Sequence, residues 1–274
     1  MKILVTGAKG MLGRDLCPML EDNDYEVIET DIDTLDITNE LQVREVLKRE
    51  MPDYVIHCAA YTNVDKAEED LSTAEKINSK GTENLAKACN ANNIVLIYIS
   101  TDYVFDGKKQ TPYLPDDKTN PINNYGLTKL HGEEAVKKYC DKHYIARTSW
   151  LYGHHGKNFV ETMISLKDKP EIKVVDDQTG CPTWTVDLSD AIISLIEEEP
   201  DYGIYHTCGG GHTTWYGFAK EIFNMSGLEV NIIPCTTEEF PRPAKRPECS
   251  IMDNCGLLRN WKLALKDYIE LRID

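Results

Sequence analysis

The opening stretch "MKILVTGAKGMLGRDLCPML" restricts the fold more than any other part of the chain. Residues 2–6 form a short apolar run rich in β-formers, Gly7, Gly10 and Gly13 follow in register, and residues 11–20 carry apolar side chains at helical spacing. Glycine permits a tight turn and close approach of backbone to a ligand, and a helix start offers unpaired N–H groups to phosphate. Strand, glycine turn and helix in that order predict a dinucleotide-binding βα unit.

The same rhythm continues. Strands are expected at 26–31, 53–57, 94–100 and 144–148, alternating with helices at 41–50, 72–91 and 122–139. Residues 94–100 are almost uninterruptedly apolar, which suits a parallel strand covered on both faces. The series predicts an α/β chain, a Rossmann-like doubly wound parallel sheet with a smaller C-terminal substrate lobe. We expect a dinucleotide-binding domain over 1–150 and a substrate lobe over 151–274, from which about 172–200 returns to the first domain. Helices are expected in the second part at 186–198 and 215–226.

Charge narrows the partners. Of 274 residues, 46 are Asp or Glu and 30 are Lys or Arg, and the formal charge of -16 argues against nucleic acid or an anionic membrane. No apolar run reaches the roughly 18 to 20 residues that span a bilayer, and the start lacks a secretory pattern, so a cytoplasmic location is expected. The nine cysteines are scattered singly and read as reduced thiols. His206, Cys208 and His212 lack the second pair a metal site needs, as do His154 and His155, and no metal is expected. Residues 234–247 are proline-rich and carry Arg242, Lys245 and Arg246, which suits either an anion clamp or a turn-rich surface segment.

Candidate binding residues follow from position. Asp31 closes the second strand where a carboxylate would bond the adenosine ribose, Asp36 and Ile37 fall near an adenine edge, and Ala59 and Ala60 leave room for a nucleotide beside the third strand. In "NNYGLTKLHGE", Tyr125 precedes Lys129 by one helical turn, so the ammonium is expected to lower the phenol pKa from about 10 and make it a proton donor or acceptor.

The glycine spacing with a later Y-x-x-x-K resembles the extended short-chain dehydrogenase/reductase family. Four further stretches, "AAYTNVDKAE", "STDYVFDG", "YGLTKLHGE" and "RTSWLYG", are similar to its reductases of dTDP-4-keto-6-deoxy sugars. The resemblance implies that NADH or NADPH delivers hydride to the C4 ketone of dTDP-4-dehydrorhamnose. Tyr125 would supply the proton, Lys129 would tune the phenol and hold the nicotinamide ribose, and Thr101 would bond the same sugar oxygen. It implies cofactor contacts at Gly7, Gly10, Met11, Leu12, Gly13, Asp31, Asp36, Ile37, Ala59, Ala60, Tyr61, Thr62, Tyr125 and Lys129. Substrate contacts are implied at Thr101, Asp102, Tyr103, Trp150, Lys245 and Arg246. Some family members hold magnesium through glutamates at a dimer interface. Asp15 and Val186 stand at the corresponding positions here, so no metal follows, while a homodimer remains compatible. Two other readings share the motifs: a nucleotide-sugar epimerase or dehydratase, which "STDYVFDG" disfavours, and a non-catalytic regulatory subunit of methionine adenosyltransferase.

Overall fold

The computed structural model describes residues 1–273. The first part runs β1 (Lys2–Thr6), α1 (Met11–Asp22), β2 (Glu26–Thr30), α2 (Glu40–Glu50), β3 (Tyr54–His57), α3 (Val64–Glu69), α4 (Leu71–Glu75), α5 (Thr82–Ala91), β4 (Val95–Thr101), α6 (Asn124–Tyr139) and β5 (His143–Thr148). Then come β6 (Leu151–Tyr152), α7 (Phe159–Ser165), β7 (Ile172–Val175), β8 (Thr179–Gly180), β9 (Thr183–Trp184), α8 (Thr185–Glu198), β10 (Gly203–His206), β11 (Thr213–Thr214), α9 (Trp215–Met225), β12 (Ile232–Cys235) and α10 (Trp261–Ile273).

Six strands form one parallel sheet in the order β10-β5-β4-β3-β1-β2. The chain leaves β1 to one side for β2 and returns on the other side for β3, so a crevice opens at their carboxyl ends. Alternate residues of each strand serve the two faces. Ile3, Val5, Ile56 and Ile97 pack under Leu12, Leu16, Leu188 and Ile192 of α1 and α8. On the opposite face Leu4, Val55, Leu96 and Ile145 pack under Val43, Leu47, Leu85 and Val136 of α2, α5 and α6. Each such side chain contributes roughly 1.5–3 kcal/mol through burial, which fixes the strand ends that carry the site.

Within residues 172–200, β7 pairs with β12, whereas α8 covers α1; beyond them, β10 joins the edge of the main sheet. Composition separates these paths. A helix laid on the sheet needs an apolar face that fits its neighbour, and α8 supplies one against α1 with Leu188, Ile192, Leu195 and Ile196, all buried. The smaller lobe has its own core, in which Tyr152, Val160, Ile172, Trp184, Phe218, Trp261 and Leu265 meet.

The helix expected at 72–91 keeps its course but contains a π-helical turn over Lys76–Gly81. Within it the Asn78 carbonyl accepts the Thr82 hydroxyl at 2.7 Å. The Asn78 side chain accepts the Tyr61 N–H at 2.7 Å and donates to the Tyr61 carbonyl at 3.1 Å and to Thr128 at 3.0 Å. The loop after β3 and helix α6 are thereby fixed to each other. Helices α3, α7 and α10 have no counterpart among the helices expected from the sequence.

Candidate active site

A cleft of about 710 Å³ runs along the carboxyl ends of β1, β3, β4 and β5. At one end lie Gly7, Gly10, Met11, Leu12 and Gly13, with Asp31, Asp36, Ile37, Ala59, Ala60 and Thr62 around them. Gly7 has φ +69°, and a Cβ there would stand 2.7 Å from the Ala59 nitrogen. A Cβ on Gly13 would stand 2.5 Å from the Ala8 Cα, so α1 begins hard against the turn. Gly10 caps α1 without a side-chain bond, and the first-turn N–H groups stay open to an anion. A dinucleotide pyrophosphate fits this cradle. Asp31 Oδ2 accepts the Lys9 N–H at 3.1 Å, and the Lys9 ammonium pairs with Asp33 at 2.5 Å.

The other end holds Thr101, Asp102, Tyr103, Tyr125, Lys129 and Trp150. Asn123 caps α6 by accepting the Gly126 N–H at 2.8 Å, which sets Tyr125 in the first turn beside the end of β4. Lys129 Nζ donates to the Ile99 carbonyl at 2.7 Å and lies 4.1 Å from the centroid of the Tyr98 ring. Beneath it Arg147 and Glu133, both buried, make a paired contact of 2.8 and 2.7 Å, and Ser100 donates to Glu133 at 2.7 Å. Helix α6 is thus bound to β4 and β5 directly under the reacting groups.

The electrostatics differ from expectation at one point. Burial pushes the Tyr125 phenol up to about 12, with the neighbouring Thr101 hydroxyl drawing it down and the charge of Asp102 pushing it up. Lys129 does not lower it. Burial instead pulls the Lys129 ammonium down to about 7, against the opposing effect of Glu133. Each of these buried neighbours favours its neutral form because a low-dielectric surrounding penalises the charged one. Tyr125 is therefore fully protonated at neutral pH and suited to give a proton. Asp102 is pushed up to about 6 by burial, against the bond its Oδ1 accepts from Thr101 at 3.0 Å.

Asp102 Oδ2 and Thr148 Oγ1 are buried, belong to residues that line the cleft and have no hydrogen-bond partner, which suits a polar ligand there. Trp150, at φ +46°, stacks on Trp215 with centroids 3.5 Å apart and planes 5° apart. Trp215 Nε1 in turn donates to Gln178 at 3.2 Å.

Of the residues expected at the site, Tyr61, Lys245 and Arg246 do not line the cleft. Tyr61 is held through its backbone by Asn78. Lys245 is exposed, and Arg246 is paired with Asp65 at 2.6 Å. Ser100, Thr148, Ser149, Lys157 and Trp215 line the cleft in addition to the residues the sequence singles out. Trp215 carries a signal, an aromatic residue directly after a Thr-Thr cap, whereas Lys157 is one lysine in a loop and carries none. Among the described residues no cluster of His, Cys, Asp or Glu could hold a metal ion, and no helix is long and apolar enough to cross a membrane.

A parallel sheet with a glycine cradle at β1 and a Thr-Tyr-Lys group at β4 and α6 defines an extended short-chain dehydrogenase/reductase. More narrowly, the chain belongs to the family described as RmlD substrate binding domain, which matches residues 1–271. It is 43% identical over 278 aligned residues to a dTDP-4-dehydrorhamnose reductase of Streptomyces griseus, covering 96% of this chain and 91% of that protein. A crystal structure of a dTDP-4-dehydrorhamnose reductase from Clostridium acetobutylicum superposes with TM-score 0.97 at 48% identity, covering 100% of both chains. The Bacillus anthracis dTDP-4-dehydrorhamnose reductase in complex with NADP gives TM-score 0.95 at 42% identity, covering 98% of this chain and 99% of that one.

Proposed function

We propose that the protein reduces the C4 ketone of dTDP-4-dehydrorhamnose to the alcohol of dTDP-rhamnose with NADH or NADPH. The observation that carries this reading is the half-buried phenol of Tyr125, placed with Thr101 and Lys129 at the substrate end of a cleft whose other end is a phosphate cradle. The names of the relatives support the same substrate class.

When bound, the reduced nicotinamide supplies the hydride. Tyr125 gives its proton to the oxygen as it becomes an alkoxide, and Thr101 holds that oxygen by a hydrogen bond. Lys129, fixed by the Ile99 carbonyl, offers its remaining N–H groups to the cofactor ribose. Gly7, Gly10, Met11, Leu12 and Gly13 bind the pyrophosphate, and Asp31, Asp36, Ile37, Ala59, Ala60 and Thr62 surround the adenosine. Asp102, Tyr103 and Trp150 orient the sugar. Residues 1–150 form the cofactor-binding part in this reading. The nine free cysteines suit a reducing compartment such as the cytoplasm.

Incubation with dTDP-4-dehydrorhamnose and either cofactor, followed at the nicotinamide absorbance, tests the reading. Stoichiometric oxidation is expected, and none with either cofactor would overturn it.

A further inference from the structure

One carboxylate outside the cleft gathers an unusual set of donors from a distant part of the chain. Asp65, on α3, accepts Arg242 Nε at 3.0 Å and Nη2 at 2.6 Å on Oδ2, and the Ala244 N–H at 3.2 Å and Arg246 Nη1 at 2.6 Å on Oδ1. The residue before it, Val64, lines the cleft. The Arg246 bond above all, joined by Arg242 and the Ala244 N–H, holds the Asp65 carboxyl well below the usual carboxylate range against the opposing effect of burial.

A second tether lies beside the first. Asn123, the cap of α6 and so the residue that places Tyr125, donates Nδ2 to the Lys245 carbonyl at 2.7 Å. The far end of the segment is tied to the other lobe, where Thr237 donates to Asp177 and accepts from Gln178, the partner of Trp215. Residues 237–246 therefore form a strap joining the two walls of the substrate end. Both bonds of Arg246 to Asp65 and the Ala244 carbonyl leave from Nη1. The charge of the same guanidinium is felt by Tyr103, a cleft residue whose ring stands edge-on to Tyr125 at 5.7 Å.

We propose that Asp65 is a positioning residue: it fixes the strap so that Arg246 stands at the mouth of the cleft, where its free N–H groups receive the diphosphate of the substrate. The inference rests on the reductase reading above. Its chemistry is that of a dianionic ligand in a chain of formal charge -16, which needs a cation held in place by a partner that does not consume all its donors.

The test is calorimetric titration of dTDP and, separately, thymidine into the NADP-loaded full chain and its Asp65→Asn variant. The variant is expected to bind dTDP about tenfold or more weakly, as when one partner of a hydrogen-bonded charge pair is removed, with thymidine and NADP affinities kept. In turnover the sugar KM rises while kcat holds. Unchanged or tighter dTDP binding, or an equal loss for thymidine, would overturn the inference. Wild-type protein that binds no dTDP would instead overturn the reductase reading, and the inference with it. If Asp65→Asn does not fold, Arg242→Ala removes one exposed tether, and a dTDP affinity equal to wild type in that variant also overturns the proposal.

Discussion

Lys129 Nζ is bonded to the backbone carbonyl of Ile99 at 2.7 Å, so the lysine of the Y-x-x-x-K pair grips strand β4 and leaves Tyr125 a neutral acid. In reduction that is the useful state, because a proton must be given and not taken. In the proposed reading the lysine's part is to meet the cofactor.

Tyr125→Phe removes the proposed proton donor and little else. Turnover is expected to fall by about two to four powers of ten, the usual share of general acid catalysis, with dinucleotide affinity kept. Steady-state kinetics with a fluorescence titration of the cofactor checks both, and normal turnover in the variant would remove the phenol from the mechanism.

Lys129→Met separates stability from function. The ordinary lysine value is 10.5 and the folded value about 7, so between them the unfolded chain binds a proton that the folded chain does not. Lys129 therefore destabilises the fold increasingly as pH falls from 10.5 to about 7, and fully below that. The methionine variant is expected to melt higher than wild type at neutral pH, with the gain vanishing toward about pH 11, and to bind dinucleotide more weakly. Calorimetric melting of the cofactor-free proteins across pH measures this; a lower Tm at neutral pH would contradict it.

Trp215→Leu takes away the face on which Trp150 rests. The sugar KM is expected to rise about tenfold, the worth of an aromatic stack of this kind, with a smaller effect on kcat. An unchanged KM would show that Trp150 keeps its place without its neighbour.

Asp31→Asn tests cofactor choice. In the proposed reading its carboxylate, which lines the cleft, meets the adenosine ribose and would repel a 2′-phosphate. Loss of this one charge is expected to shift the NADPH-to-NADH ratio of kcat/KM toward NADPH by about threefold or more. A ratio that stays constant would place the control elsewhere.

The parts of the site that follow one another along the chain are legible in the sequence. Gly7, Gly10 and Gly13 form a local turn, and Tyr125 and Lys129 share one helix face, so spacing alone places them. Residues assembled by tertiary contact are not. Trp215 reaches Trp150 only because α9 packs beside β6, and Arg246 is turned toward Asp65 by an ion pair between segments that sequence spacing does not relate. The direction of the Tyr125 shift escapes sequence reasoning for a similar cause: helical spacing gives the neighbour, while burial, which decides the sign, belongs to the whole fold.

The most direct measurement is the fate of the hydrogen. NADPH carrying deuterium at the transferable position of nicotinamide C4 is turned over with dTDP-4-dehydrorhamnose in ordinary water, and the product is read by mass spectrometry and NMR. One deuterium at C4 of the sugar is the expected result. A product with no deuterium at that carbon, or no product while both ligands bind, would contradict hydride transfer at this site.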